Sequence, residues 1–300
     1  MGEAHAVRVA FQGKPGAFSH KAVKLFAEDV RALHSLSTVS CGSFGEVFKA
    51  IAANQADFGV VPLENSSVGS IVANYDLLFE APVKLVSEVY VPVHHNLLGL
   101  PGATVEDIKE IYSHPVALDQ CKKFLASLPE VKAVTFWDTA ASAFHVKEKG
   151  DKSLASISSD LAAKETGLAV LLEHVEDHSG NRTRFGVITL ASGEANGRTP
   201  YLNDLQSRLR LKAYKLSCVA ELKHESGSLA ALLQGLADEG VNLTKIESRP
   251  IPETPWHYRF FFDIEVDQKQ DRAVSGKLRD LTESNKILGR YPIWEESGRD

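Results

Sequence analysis

Four polar constellations interrupt an otherwise apolar pattern, and each offers a different chemistry. Gly13, Pro15, Gly16, Phe18 and Ser19 make a strand-to-helix turn whose amides and helix N-terminus can hold an anion such as a carboxylate. The P-loop lysine and the full dinucleotide fingerprint are missing, so an ordinary turn explains these residues equally well. Glu64, Asn65, Ser66 and Ser67 sit where a strand ends, and capping of a helix from Val68 accounts for one of them, not four. Ser113, His114 and Pro115 end another strand, with Gln120 one to two turns into the next helix. Neighbours on a strand point to opposite faces, so Ser113 and His114 make a poor nucleophile and base. No G-x-S-x-G elbow occurs in the sequence, which disfavours a serine hydrolase. Asn181, Thr183, Arg184 and Phe185 carry a hydroxyl and a guanidinium from a loop into a strand, where a solvated threonine beside a surface arginine is the plain alternative.

Histidines offer less. His174 and His178 in HVEDH have metal-ligand spacing on a helix, but Gly180 and Asn181 end the segment and no third ligand is evident. A charged loop is the expected meaning, and no metal site is assigned. Strand alternation splits His94 from His95.

The elements that must position these groups alternate between strand and helix from Val7 to about Thr189, as in layered α/β folds. VRVAF opens as a strand, and Ser43 and Glu46 have capping-box spacing ahead of Phe44, Val47, Phe48 and Ile51. A single helix is expected to hold Leu118, Cys121 and Leu125. The extended stretch from 83 to 100, broken by Pro92, implies passage from one lobe to another, and TRFGVITL implies the return. Residues 1–195 are therefore expected to form two lobes that cross near 90–95 and 180–190. Residues 196–210 are expected to be a linker, and 211–300 to spell β-α-β-β-α-β, a ferredoxin-like domain. In that domain Leu229, Leu232, Leu233 and Leu236 form one apolar stripe ending at Gly240.

Composition excludes several classes. With 44% hydrophobic and 24% charged residues the 300-residue chain can bury a sizeable core. No apolar run approaches the roughly 20 residues of a membrane span, so no membrane partner is expected. A net charge of -6 offers no basic field for nucleic acid. Cys41, Cys121 and Cys218 are too few and too scattered for a disulfide framework, which suits a reducing compartment. MGEAHAVRVA lacks a signal-peptide h-region, so a cytoplasmic location is expected unless a transit peptide was removed.

In order along the chain, QGKPGAFS, PLENSSVGS, YSHPVALDQC, DTAASA and NRTRF, followed by NLTKIESRP, strongly resemble prephenate dehydratase with a C-terminal ACT domain, a family that includes the arogenate dehydratases. The resemblance implies a periplasmic-binding-protein type II-like catalytic domain with its site between the lobes. It also implies loss of carbon dioxide and water from prephenate to give phenylpyruvate, without a cofactor. By the same resemblance Thr183 is the donor to the departing hydroxyl, with Asn65, Ser113 and Gln120 as neutral cleft groups. Arg184 would pair with a substrate carboxylate, and the amides of Thr139 and Ala140 would serve the side-chain carboxylate. Gly16, Phe18, Ser19, Glu64, Ser66, His114, Asn181 and Phe185 complete the implied substrate-binding set. The Q-G-x-P-G-A turn, NYDLL and HHNLLGLPG look more like the arogenate branch, which leaves arogenate as the alternative substrate.

The second domain resembles the family's phenylalanine sensor. Ser226, Gly227, Ser228 and Leu229 at a helix start, Asn242, and the Glu247, Ser248, Arg249, Pro250 motif are the implied effector-binding residues for L-phenylalanine. Such sites lie between paired ACT domains in the family, so a homodimer or homotetramer is implied. A non-catalytic amino-acid-binding regulator is the rival reading.

Overall fold

The computed structural model describes residues 6–29, 35–192, 199–211 and 213–294; residues 1–5 and 193–198, which include the start of the chain and of the expected linker, lie outside them. The first lobe contains β1 (Val7–Gln12), α1 (Phe18–Asp29), β2 (Leu36–Cys41), α2 (Phe44–Ala52), β3 (Phe58–Asn65), a short β4 (Gly69–Ser70), α3 (Val72–Glu80) and β5 (Val83–Pro92). The second lobe contains β6 (Asn96–Gly99), β7 (Glu110–Ser113), α4 (Pro115–Asp119), α5 (Lys122–Ala126), β8 (Lys132–Thr135), α6 (Thr139–Lys149), β9 (Leu154–Ser158), α7 (Asp160–Thr166) and β10 (Ala169–Leu172). β11 (Arg182–Leu190) then returns to the first lobe, between β5 and β3.

Both lobes share one strand order. The first runs β2-β1-β3-β11-β5 and the second β8-β7-β9-β6-β10, each with one strand from the crossing inserted antiparallel before the last. The strands leading into the cleft end there, where an open α/β sheet receives its ligand. Local sequence explains the helices around them. Ser43 Oγ accepts the Glu46 amide at 3.3 Å, and the Glu46 carboxylate reaches back to Gly42 N at 2.7 Å rather than to the cap residue itself. Val47, Phe48 and Ile51 of that helix are buried against the sheet.

The expected linker is instead largely helix α8 (Thr199–Leu211), which inserts Tyr201 and Leu205 into the first-lobe core beside Phe26 and Phe58. Tyr201, Leu205 and Leu209 recur every four residues, an apolar stripe hidden among polar neighbours. The helix expected across Leu118 to Leu125 is divided into α4 and α5, with Gln120 capping the first.

The C-terminal domain follows with β12 (Tyr214–Glu221), α9 (Ser228–Asp238), β13 (Asn242–Pro250), β14 (Tyr258–Val266), α10 (Gln268–Leu281) and β15 (Ser284–Pro292). Its sheet, ordered β13-β14-β12-β15, meets β5 at Gly289 and Leu85 and so continues the first-lobe sheet. Gly289 is required there, since a Cβ would collide with the Leu85 carbonyl. Helices α9 and α10 cover one face with Leu232, Leu236, Val274 and Leu278. The other face carries Val219, Phe261, Leu288 and Tyr291 into one apolar core with Tyr75, Leu78 and Leu85 of the first lobe. No helix among the described residues is long and apolar enough to cross a membrane. Cys41, Cys121 and Cys218 are buried and unpaired in disulfides.

Candidate active site

A cavity of about 430 Å³ opens between the lobes. β3 and β11 supply its polar centre. Thr183 lies opposite Asn65 across the two strands, and Asn65 Nδ2 donates to Thr183 Oγ1 at 2.9 Å and to Asn181 Oδ1 at 2.8 Å. The Asn65 carbonyl oxygen accepts the amides of Ser67 and Val68 at 2.9 and 3.0 Å, which fixes which end of the amide faces Thr183. Thr183 Oγ1 is therefore an acceptor here, and among the described residues no group takes its own proton. Both side chains are buried at the cleft wall.

The second lobe contributes Gln120 and His114, and the crossing contributes His95. Gln120 Oε1 lies 2.9 Å from His95 Nε2. His114 Nδ1 accepts the Val116 amide at 3.3 Å. Burial lowers the pKa of both imidazoles and keeps them neutral. His95 Nδ1 is buried and has no hydrogen-bond partner among the described residues. Phe18 meets the His95 ring edge-on at 5.5 Å, and Ser19 stands beside it in the first turn of α1. Thr139, Trp137 and Phe185 also line the cavity, and among the described residues no lysine or arginine does.

Asp138 is the cavity's carboxylate. It caps α6 by accepting the Ala141 amide at 2.8 Å. Burial raises its pKa, against hydrogen bonds from the amides of Ala141, Lys14 and Ala140. Of the two amides expected to form a cradle, that of Ala140 is thus turned to the chain's own Asp138. The helical ladder of α1 begins with the Lys21 amide on the Ala17 carbonyl at 3.0 Å, so the amides of the turn before it lie outside that ladder, as at any helix start.

Several expected site residues lie elsewhere. Ser113 is fully buried beneath the cleft, where its hydroxyl donates to the Ile157 carbonyl at 2.6 Å. Gly16 touches Ala162 of the opposite lobe, and its carbonyl accepts Ser159 Oγ at 2.6 Å, so it joins the lobes rather than lining the cavity. Ser66 orders the loop, accepting the Arg182 amide at 2.9 Å and donating to Asn181 at 3.3 Å. Ala140 is fully buried. Glu64 and Arg184 occupy the reverse face of the strands that carry Asn65 and Thr183. Arg184, 5% exposed, binds Glu88, Asp263 and Tyr291, and is the structural ion pair rather than a cleft residue. Burial opposes its charge, but Tyr291, Asp263 and Glu88 more than compensate and hold its pKa above the ordinary value.

His95 and Asp138 are cleft residues without an expected role. His94 and His95 do part, but in the connection between β5 and β6 rather than on a strand: His95 is buried at the cleft, whereas His94 is half-buried and turned to Glu176. His94 and His174 bring their Nδ1 atoms to Glu176 Oε1 at 2.9 and 3.2 Å, so the donor from outside HVEDH is His94, and it joins His174 and Glu176 rather than His178, the three within 4.8 Å of one another. Such a set can hold a divalent metal. Glu176 also accepts the His95 amide at 2.9 Å and ties the loop to the crossing, while Asp177 accepts the Lys123 amide at 3.0 Å and ties it to α5.

The expected effector residues divide likewise. Ser226, Ser228 and Leu229 line a cavity of about 360 Å³ with His224, His257 and Phe260, beside Gly227 at the start of α9. Glu247 and Arg249 face the first lobe, bonded to Ser70 at 2.7 Å and Asp76 at 2.8 Å, whereas Asn242 bonds Glu265 at 3.0 Å. Ser248 and Pro250 are exposed on the other side of β13.

Fold and site together define a two-lobed α/β protein with an interlobe cleft lined by hydroxyl, amide and imidazole groups and the Asp138 carboxylate, and with an attached βαββαβ domain. The family model for prephenate dehydratase matches residues 9–192, and that for the ACT domain matches 218–283. The chain belongs to the prephenate dehydratase family. Arogenate dehydratase/prephenate dehydratase 1 of Arabidopsis thaliana is 35% identical across 97% of this chain and 74% of its own. The bifunctional chorismate mutase/prephenate dehydratase of Neisseria gonorrhoeae is 32% identical across 95% and 74%. The prephenate dehydratase of Arthrobacter aurescens, solved with L-Phe, is similar at a TM-score of 0.80 and 28% identity over 96% of this chain and 90% of that one. GqqA, described as a novel type of quorum quenching acylase, has the same TM-score at 30% identity over 96% and 98%.

Proposed function

We propose that the chain catalyses decarboxylating dehydration of prephenate to phenylpyruvate in phenylalanine biosynthesis, in the cytoplasm, under control of L-phenylalanine at the ACT domain. The observation that carries this reading is Thr183 Oγ1, oriented by Asn65 at 2.9 Å with its proton still available at the cleft wall. In the reaction the bond to the ring carboxylate breaks, its electron pair enters the ring, and hydroxide leaves from the far side and takes a proton to become water. A threonine hydroxyl is too weak an acid to protonate the ground state. It donates as the C–O bond breaks, the Asn65 N–H eases the negative charge that then grows on Oγ1, and Oγ1 takes a proton back from water as the products leave. Gln120 and His114 are neutral donors for the remaining oxygens, and the amides at the start of α1 suit a carboxylate.

Asp138 favours a second reading, arogenate, because an ammonium needs an anionic or carbonyl partner and this carboxylate lines the cavity. The cavity at the start of α9 fits an amino-acid effector, whose carboxylate the helix amides would receive. β13 is a free edge of the ten-stranded sheet, and pairing there or across the helices would build a homodimer or homotetramer. Purified protein is assayed separately with prephenate and with arogenate. Phenylpyruvate from the first supports the primary reading, phenylalanine from the second supports the alternative, and product from neither leaves the non-catalytic regulator.

A further inference from the structure

We propose that the ACT domain holds the catalytic pair in place from behind, with Arg184 and Glu64 as positioning residues. The inference rests on the reading of Asn65 and Thr183 as the reacting site. Thr183 faces Asn65 and Arg184 faces Glu64 on adjoining rungs of β3 and β11. Alternation turns the first rung to the cleft and the second to the ACT sheet.

All four ACT strands contribute to the grip on that second rung. Arg184 Nη1 donates to Asp263 of β14 at 2.5 Å and Nη2 to the Tyr291 hydroxyl of β15 at 2.8 Å, while Nε meets Glu88 of β5 at 2.7 Å. Ser217 of β12 bonds both Asp263 and Tyr291. Lys215, also of β12, donates to Glu88 at 2.7 Å. On the other strand Lys245 of β13 lies 3.5 Å from Glu64 and donates to Ser70 Oγ at 2.5 Å. Ser70 is paired to Glu64 through the β3–β4 hairpin.

These bonds are directional as well as strong. A guanidinium that engages three groups on three strands fixes its own plane, and with it the short stretch of β11 that also carries Thr183. A shift of the ACT sheet must either carry that backbone along or leave buried charges unpaired. The hydrogen bond between Asn65 and Thr183, and the placement of the hydroxyl against a substrate, degrade over displacements well under 1 Å. A ligand that moves β12 or β14 therefore acts on turnover through this contact and needs no reach into the cleft.

The test uses full-length Asp263→Asn and Lys245→Met, neither of which touches the cavity, with Arg184→Lys as the variant that keeps charge and loses the fork. Turnover of prephenate or arogenate, thermal unfolding, and amide hydrogen exchange of peptides spanning 61–66 and 181–186 are measured on each. The expected result is kcat about tenfold lower with KM changed less than about twofold, and faster exchange in both peptides of the folded variants. A seam that only stabilises would lower the unfolding temperature and leave kcat and exchange in those peptides at wild-type values, which overturns the proposal. If Asp263→Asn fails to fold, Lys245→Met carries the same decision, because Glu64 is left 40% exposed rather than buried. Should the wild-type chain turn over neither substrate, the functional reading fails, and the exchange of the two peptides still decides whether the ACT sheet restrains them.

Discussion

The cleft and the seam behind it are built on the same two strands yet divide polar chemistry between them. The cleft side presents Asn65, Thr183, Gln120 and two neutral imidazoles, with Asp138 as its carboxylate. The seam side packs Arg184, Lys215, Glu88 and Asp263, all nearly inaccessible, around Tyr291. Neutral donors suit a site that must stabilise charge only as a bond breaks, whereas buried ions, costly to desolvate and directional once paired, suit a joint that must not slip. The difference predicts that changes on the cleft side damage rate with little loss of stability, whereas changes on the seam side damage both.

The largest effect that can break this contrast is at Arg184. Arg184→Met should destabilise folding by about 3–5 kcal/mol, because Glu88 and Asp263 lose a buried partner, as read by urea unfolding. A loss below about 1 kcal/mol would mean the seam is wet and its charges worth little. Thr183→Val should lower kcat at least about a hundredfold while the unfolding midpoint stays close to wild type. Near-normal turnover would remove the hydroxyl from the mechanism. Asp138→Asn sharpens the cleft side alone. If the carboxylate serves an ammonium, kcat/KM for arogenate falls about tenfold relative to prephenate, and an unchanged ratio removes Asp138 from substrate choice.

The smallest effect concerns pH. His20, His95 and His114 have pKa values lowered chiefly by burial, so the unfolded chain binds protons that the folded chain refuses. Stability should therefore be insensitive to these groups above the ordinary imidazole pKa, about 6.5, and decline as pH falls from about 7 towards 5. Unfolding curves that strengthen over that interval would show that the imidazoles are cationic in the native state.

Sequence reading reached the layered fold, the ferredoxin-like domain and the polar centre, because each left a local mark. The α9 stripe and the Ser43 cap are periodicities, and Asn65 and Thr183 break apolar strands. The motifs could not say which of their members face the ligand. In PLENSSVGS and NRTRF alternate residues serve opposite faces, so Glu64 and Arg184 were read with their neighbours although they belong to the seam. Ser113 shows the same limit, since only the position of Ile157 reveals that its hydroxyl is already bonded. His95 and Asp138 needed the lobes brought together. α8 was missed because its apolar stripe is sparse and its partners, Phe26 and Phe58, are distant in sequence.

The continuity of the sheet through Gly289 and Leu85 bears on how this chain can be divided. Cutting it after β11 would strip β5 of its neighbour and lay Tyr75, Leu78 and Leu85 open where Val219, Phe261 and Leu288 now cover them. A catalytic half made that way would carry a sticky edge beside an apolar patch, the combination that drives aggregation. Loss of activity in such a truncation would report precipitation or misassembly before it reported anything about regulation.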